Sequence, residues 1–171
     1  MSTEPLYFED LTVGREWVSS ARVVTASDVS VFADLTGDHN LLHLDPEYAR
    51  ATPFRRCIAH GLLGLSLAGG LSQSSPAVRV VAFLGLENWE FRSALYIGEV
   101  IRVRQRVLSR DRYGRGRRGV VRWQAEVLTG DGRVVQSGVT VLLVEARNPI
   151  TAVSALAHGA PARPAPEAAR G

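Results

Sequence analysis

Residues 7–24 alternate apolar and polar side chains, most clearly along Trp17-Val-Ser-Ser-Ala-Arg-Val-Val, with a turn marked by Gly14; this period of two predicts strand. The period then changes. Val29, Phe32, Ala33 and Thr36 recur at helical spacing behind Thr25, Ser27 and Asp28, all side chains that cap helix N-termini. A helix is expected over residues 26–35, stopped by Gly37. The next stretch, Thr36-Gly-Asp-His-Asn-Leu-Leu-His-Leu-Asp, is polar and has no clean period. Asp45-Pro46 restarts the chain with an N-cap residue and a proline at the first helical position, so residues 47–51 read as a short helix.

Residues 58–71 are nearly all apolar or glycine, and Leu62, Leu63, Leu65, Leu67 and Leu71 surround the whole helical cylinder. A helix apolar on every side is expected to be buried. Gly61, Gly64, Gly69 and Gly70 each cost such a helix roughly 1 kcal/mol relative to alanine, which points to close packing against a sheet. After Pro76 the pattern returns to strands, over 79–86, 87–91, 99–108, 120–128 and 134–144, with Gly130-Asp-Gly as a hairpin turn. Helices followed by a run of antiparallel strands place the chain in the α+β class. A single domain is expected over residues 1–146. From 147 to 171 the sequence turns Ala/Pro/Arg-rich and is expected to be a disordered tail.

Composition changes this picture little. The 171 residues are 46% hydrophobic and 22% charged, an ordinary globular balance. One cysteine excludes an intrachain disulfide, and the N-terminus carries no hydrophobic signal run, so a cytoplasmic protein without a membrane segment is expected. The net charge is +3, and all 20 basic residues are arginine. Six of them, Arg110, Arg112, Arg115, Arg117, Arg118 and Arg122, fall in one short segment. Such a cluster suits an acidic partner, and it equally suits a solvated hairpin tip.

The chemistry concentrates in the polar loop. Asp38, His39, Asn40 and His43 lie within six positions. A carboxylate and an imidazole brought to one point can share a water, one acting as base and the other as acid. Asp and Asn after a glycine also serve as plain turn formers, and the residues alone leave both readings open. His60-Gly61 opens the apolar helix, where unpaired backbone N–H groups and the positive dipole end suit a carbonyl oxygen that gains negative charge. His60 itself reads as a capping or core histidine. No metal is expected, because no HxxxH or CxxC spacing is present; no nucleotide cofactor is expected, because there is no GxGxxG or P-loop. Arg55 and Arg56 beside Cys57 offer a way to lower the pKa of its thiol, but one thiol beside two arginines is usually incidental, and a nucleophilic role for Cys57 is weakly supported.

Phe32-Ala-Asp-Leu-Thr-Gly-Asp-His-Asn-Leu-Leu-His resembles the signature of MaoC-like (R)-specific enoyl-CoA hydratases: an aromatic residue, a spacer, then Ser/Thr-Gly-Asp-x-Asn-Pro-aliphatic-His. Thr36, Gly37, Asp38, Asn40, Leu42 and His43 match, and Leu41 replaces the usual proline. Ile58-Ala-His-Gly-Leu resembles the family's second landmark. Gly98-Glu99 after Phe91 resembles a later strand-turn element, with Ala94 for the usual proline and Glu99 for the usual aspartate.

The resemblance implies a hot-dog fold, in which an antiparallel sheet wraps a long central helix, and a homodimer with active sites near the subunit interface. It implies hydration of an enoyl thioester, or dehydration of a 3-hydroxyacyl thioester, by Asp38 and His43. Gly61 N–H would polarise the thioester carbonyl, with Gly37, Asn40 and His60 supporting the loop. No cofactor is implied beyond the coenzyme A or phosphopantetheine arm of the substrate. Arg112, Arg115, Arg117 and Arg118 are candidates for contacts to that arm's phosphates or to an acyl carrier protein. Two other functions compete: a hot-dog thioesterase, and a non-catalytic protein that holds nucleic acid or an acidic partner on the arginine hairpin. The Asp-x-Asn-x-x-His loop argues against the first. The second is weakened because the arginines alternate with apolar strand positions, and no nucleic acid is expected as a partner.

Overall fold

The structure is a computed structural model that describes residues 4–114 and 116–147. A 3-10 turn at Phe8–Asp10 precedes two short strands, β1 (Glu16–Val18) and β2 (Arg22–Val23). Helices α1 (Ala26–Thr36), α2 (Leu41–Leu44), α3 (Pro46–Ala51) and α4 (Gly61–Ser74) follow. Four long strands complete the fold: β3 (Val80–Phe91), β4 (Val100–Tyr113), β5 (Arg118–Thr129) and β6 (Val134–Glu145). They form an antiparallel sheet in the order β1-β4-β5-β6-β3, with β2 also paired to β4.

The expected 7–24 strand is reduced to two fragments. Tyr7 N–H donates to Asp10 Oδ2, which closes the 3-10 turn and takes the first residues out of the sheet. Residues 79–86 and 87–91, read as separate strands, are one strand with register shifts against β6. Helix α1 begins with a capping box, in which Thr25 Oγ1 accepts from Asp28 N–H and Asp28 returns the bond to Thr25 N–H. It ends at Gly37, whose φ of 77° is the left-handed geometry that glycine adopts without strain.

Helix α4, about 21 Å long at 1.5 Å per residue, lies on the sheet through one face. Leu63, Gly64 and Ala68 are buried there among Ile101, Val103, Ala125 and Val127 of β4 and β5. The expectation of burial on all sides does not hold for one chain: Leu62 is 60% exposed, and Gly69 and Gly70 face open space. The reason is geometric, since a single sheet covers one side of a helix. Strand β3 at the sheet edge is also bare, with Val81, Phe83, Leu84, Leu86 and Phe91 exposed.

A second core closes the far end of the sheet, where Phe8, Leu11, Val107, Val121 and Trp123 pack together. The arginine hairpin is tied to it. Arg110 donates to the carbonyls of Phe8 and Glu9, and Arg112 pairs with Glu9. Phe8 covers Gly119, where any Cβ would overlap its ring. The base of the hairpin is thus an anchor for the N-terminal turn rather than a solvated tip. Arg115 lies outside the described residues. So do residues 148–171, on which the expectation of a disordered tail falls. Arg147, expected to begin that tail, is held instead: its N–H donates to Glu9 and its guanidinium pairs with Asp10. Among the described residues no helix is long and apolar enough to cross a membrane.

Candidate active site

The polar loop is fixed at both ends by short-range bonds that its sequence supplies. Thr36 Oγ1 donates to Phe32 O and accepts weakly from Asp38 N–H at 3.3 Å, while Gly37 turns the chain. Asn40 caps α2, its Oδ1 accepting from Leu42 N–H at 2.9 Å. Asp45 then caps α3 through bonds from Glu47 and Tyr48 N–H. Leu41, in the position of the family proline, is the first residue of α2 and is half-exposed, so the helical start survives without the ring. His39 is exposed and takes no part in the cluster below.

Helix α2 carries His43 to the entrance of α4. Its Nδ1 lies 2.8 Å from Ile58 O. A carbonyl can only accept, so Nδ1 bears the proton and Nε2 of the neutral ring keeps its lone pair. His60, 3% exposed, stacks beside it with ring centroids 3.8 Å apart. The Nε2 of His60 donates to the backbone carbonyl of Asp38 at 2.9 Å, whereas the Asp38 carboxylate is 4.0 Å away. The shorter bond defines the contact: His60 ties the loop to α4 through the main chain and leaves the Asp38 carboxylate facing outward, 55% exposed. His60 Nδ1 is buried without a hydrogen-bond partner among the described residues.

Asp38, His43 and His60 each present a ligand-type atom, all within 4.8 Å of one another, and these are the residues that could hold a cation. Their geometry suits proton transfer at least as well, because coordination at His43 Nε2 would consume the lone pair that a base needs. Burial lowers the His43 pKa from its ordinary 6.5. The bond to Ile58 O and the Asp38 charge oppose that effect, while His60 adds to it. His43 is therefore neutral, and ready to accept a proton, at neutral pH.

An open cleft of about 260 Å³ is lined by Phe32, Thr36, Asp38, His43, His60, Gly61, Leu62 and Phe91. A neighbouring cleft of about 360 Å³ shares His43, Gly61 and Phe91 and adds Phe54, Ile58, Ala59, Leu95 and Gln136. Gly61 stands where the two meet. It is the first residue of α4, whose N-cap His60 offers no side-chain bond to the free N–H groups of the first turn. A Cβ on Gly61 would sit 3.0 Å from the Phe91 ring, so a larger residue here would push the ring aside and narrow the passage.

The structure thus brings together Asp38, His43, His60 and Gly61, with Gly37 and Asn40 as their local supports. It does not bring the arginine hairpin to them. Val127, whose strand partner is the cleft residue Gln136, is separated from Arg118 by roughly 30 Å along β5. Phe91 and Gln136 line the site without having been singled out for it in the sequence. Gln136 is 2% exposed and donates to Gly61 O at 2.9 Å, a role invisible in an alternating strand. Cys57 is not activated by its arginine neighbours: burial, then the Asp45 charge, raises its thiol pKa. The Arg56 guanidinium is occupied over the Tyr96 ring at 4.0 Å and does not activate the thiol.

Known proteins share this arrangement of elements, a hot-dog fold. A MaoC-like dehydratase from Rhodospirillum rubrum superposes with a TM-score of 0.76 at 28% identity, covering 84% of this chain and 99% of its own. By sequence, the chain is 34% identical over 104 residues to 3-hydroxyacyl-thioester dehydratase Z of Mycobacterium tuberculosis, a match covering 59% of this chain and 66% of that protein. It is 36% identical over 93 residues to an (R)-specific enoyl-CoA hydratase of Aeromonas caviae, covering 54% and 68%. These matches span about two thirds of the length of each of the two relatives. The MaoC like domain family model runs over residues 10–129, from the N-terminal turn through the polar loop and α4 to the end of β5, and the chain belongs to that family.

Proposed function

We propose that this protein adds water across the double bond of a trans-2-enoyl thioester to give the (R)-3-hydroxyacyl thioester, and catalyses the reverse dehydration. The observation that carries the reading is the fixed tautomer of His43, with Nδ1–H on Ile58 O and a free Nε2 lone pair beside the Asp38 carboxylate at the cleft. In the hydration direction Asp38 and His43 hold one water. Its oxygen bonds to the β-carbon as its proton passes to His43 Nε2. The imidazolium then returns a proton to the α-carbon, so the elements of water are accounted for and both residues recover their charge. The Gly61 N–H, at the positive end of α4, stabilises the enolate-like oxygen as charge develops there. Asn40, Gly37 and His60 keep the loop in place. No resident cofactor enters these steps; the coenzyme A or phosphopantetheine arm arrives with the substrate.

The enzyme works as a homodimer in the cytoplasm. Support for the dimer comes from the bare side of α4 and the exposed apolar edge strand β3, because such an edge invites pairing and is stable only when covered. The experiment is an assay on short and medium trans-2-enoyl-CoA substrates with the product resolved by chiral chromatography. The expected outcome is the (R)-3-hydroxyacyl thioester without release of free thiol. Thiol release without hydration would identify a thioesterase and overturn the reading.

A further inference from the structure

Most of the arginines that line this sheet are matched to a carboxylate: Arg79 to Glu145, Arg104 to Glu126, Arg122 to Glu87 and Arg133 to Glu99, for example. A group of three arginines outside the sheet stands together at one cleft. Arg50, Arg55 and Arg56, with Pro46, Cys57 and Ile97, line an open cleft of about 260 Å³. The Arg55 side chain has no ion pair among the described residues, and Arg56 rests on the Tyr96 ring instead of a carboxylate. Arg50 pairs with Glu47, but both side chains are largely exposed, at 66% and 78%, and a pair in that setting separates at little cost. Asp45, whose charge reaches Cys57, is engaged by two backbone N–H groups as the cap of α3. Arg55 also sits at φ 64°, a left-handed conformation that a long side chain rarely adopts and that surrounding structure must impose.

The position of this group matters as much as its charge. Cys57 leads directly to Ile58, whose carbonyl fixes His43 and whose side chain, with Phe54, lines the reaction cleft. One short segment therefore serves both clefts, Arg55, Arg56 and Cys57 lining one and Phe54 and Ile58 the other. We propose that the Arg55–Arg56 cleft binds the phosphate groups on the carrier arm of the acyl thioester, with Arg50 as a further donor. This rests on the thioester reading of the neighbouring site. The acyl end lies at Asp38, His43 and Gly61; the arm passes Phe54; and its phosphate meets guanidinium groups whose planar N–H pairs match phosphate oxygens. The site deepens the functional reading by assigning recognition of the arm to the 54–58 segment, and not to the hairpin at the opposite end of the sheet.

The test compares wild type with an Arg55→Asn/Arg56→Gln variant and with each single variant, asparagine being chosen because it tolerates the left-handed backbone. Three thioesters of the same acyl group are used: trans-2-butenoyl-CoA, trans-2-butenoyl-phosphopantetheine and trans-2-butenoyl-pantetheine, which has no phosphate. The expected result is a roughly tenfold rise in KM for the CoA substrate, the loss typical of charged hydrogen bonds at a partly exposed site. Its kcat should be nearly unchanged, and KM for the pantetheine thioester should not move. A matching rise for phosphopantetheine assigns the phosphate next to the arm; a rise for CoA alone assigns the nucleotide phosphates, and both support the proposal. Unchanged KM for the CoA substrate, or an equal rise on the pantetheine thioester, overturns it. If wild type hydrates none of the three, the functional reading fails by itself, and calorimetric titration with coenzyme A decides the anion site. Binding lost in the variant upholds the site, and absence of binding to wild type removes it. Circular dichroism on every variant separates these outcomes from misfolding.

Discussion

At the scale of single residues, the site consists of a carboxylate left outside, an imidazole with one nitrogen committed, and a second imidazole buried beneath both. Asp38→Asn keeps the side-chain shape but cannot hold a proton acceptor's charge. Loss of a positioned acid or base typically lowers the rate by about 10²–10⁴-fold, and that is the fall expected for Asp38→Asn and for His43→Ala, read from kcat with trans-2-butenoyl-CoA. In the proposed mechanism both residues act on one water, so the double variant should be little worse than either single one. Multiplicative losses would mean separate roles. The lowered His43 pKa also fixes a pH dependence. Its neutral form is favoured in the fold, so stability from this group is present above 6.5 and lost as pH falls through the lower folded value. The acid limb of kcat/KM should accordingly lie below pH 6.5. A limb above that value, measured over a pH series, would contradict the burial argument.

At the scale of elements, the glycines of α4 divide by what they face. A Cβ at Gly64 would overlap Gln136 Nε2, and Gln136 cannot withdraw freely, since it donates to Gly61 O and accepts from Trp89 Nε1. Gly64→Ala would gain ~1 kcal/mol of helix propensity and lose about 1–3 kcal/mol to overpacking and disturbed bonds. Net destabilisation is expected by urea denaturation, together with reduced activity, because Gln136 and Gly61 both line the cleft. An unchanged midpoint would show that the Gln136 side chain relaxes without cost. The loop between α1 and α2 illustrates the same dependence on local detail. Its caps at Gly37 and Asn40 come from neighbours in sequence, yet only the His60 bond to Asp38 O sets its distance from α4.

At the scale of the whole molecule, one chain leaves its own pattern incomplete. Leu62 on α4 and Phe83, Leu84 and Phe91 on β3 are exposed in the single copy, apolar surface of the kind that marks an interaction site. Sedimentation should give twice the 18.6 kDa chain mass at micromolar concentration. Arginine at both Phe83 and Leu84 should shift the protein toward monomer and lower activity, since Phe91 of the same strand narrows the reaction cleft. A wild-type monomer with full activity would refute the dimer.

The sequence by itself determined what depends on neighbours in the chain. The capped start of α1, the Gly37 stop, the Asp45-Pro46 restart and the long alternating strands were all legible, because a cap or a turn is made by residues a few positions apart. So was the grouping of Asp38 with His43, carried by one loop and its resemblance to a family motif. The tertiary structure decided everything that depends on residues far apart meeting. It placed Gln136 against Gly61 across 75 positions, buried His60 under His43, and drew Tyr7 into a turn where alternation predicted strand. It also moved the arginine question from one end of the sheet to the other. Clustering along the chain drew attention to the hairpin, but Arg110 and Arg112 are committed to the N-terminal turn there, while Arg55 and Arg56, unremarkable in spacing, stand without carboxylate partners beside the reaction cleft. Charge counts are local to the sequence; which charges are already neutralised is settled only by packing.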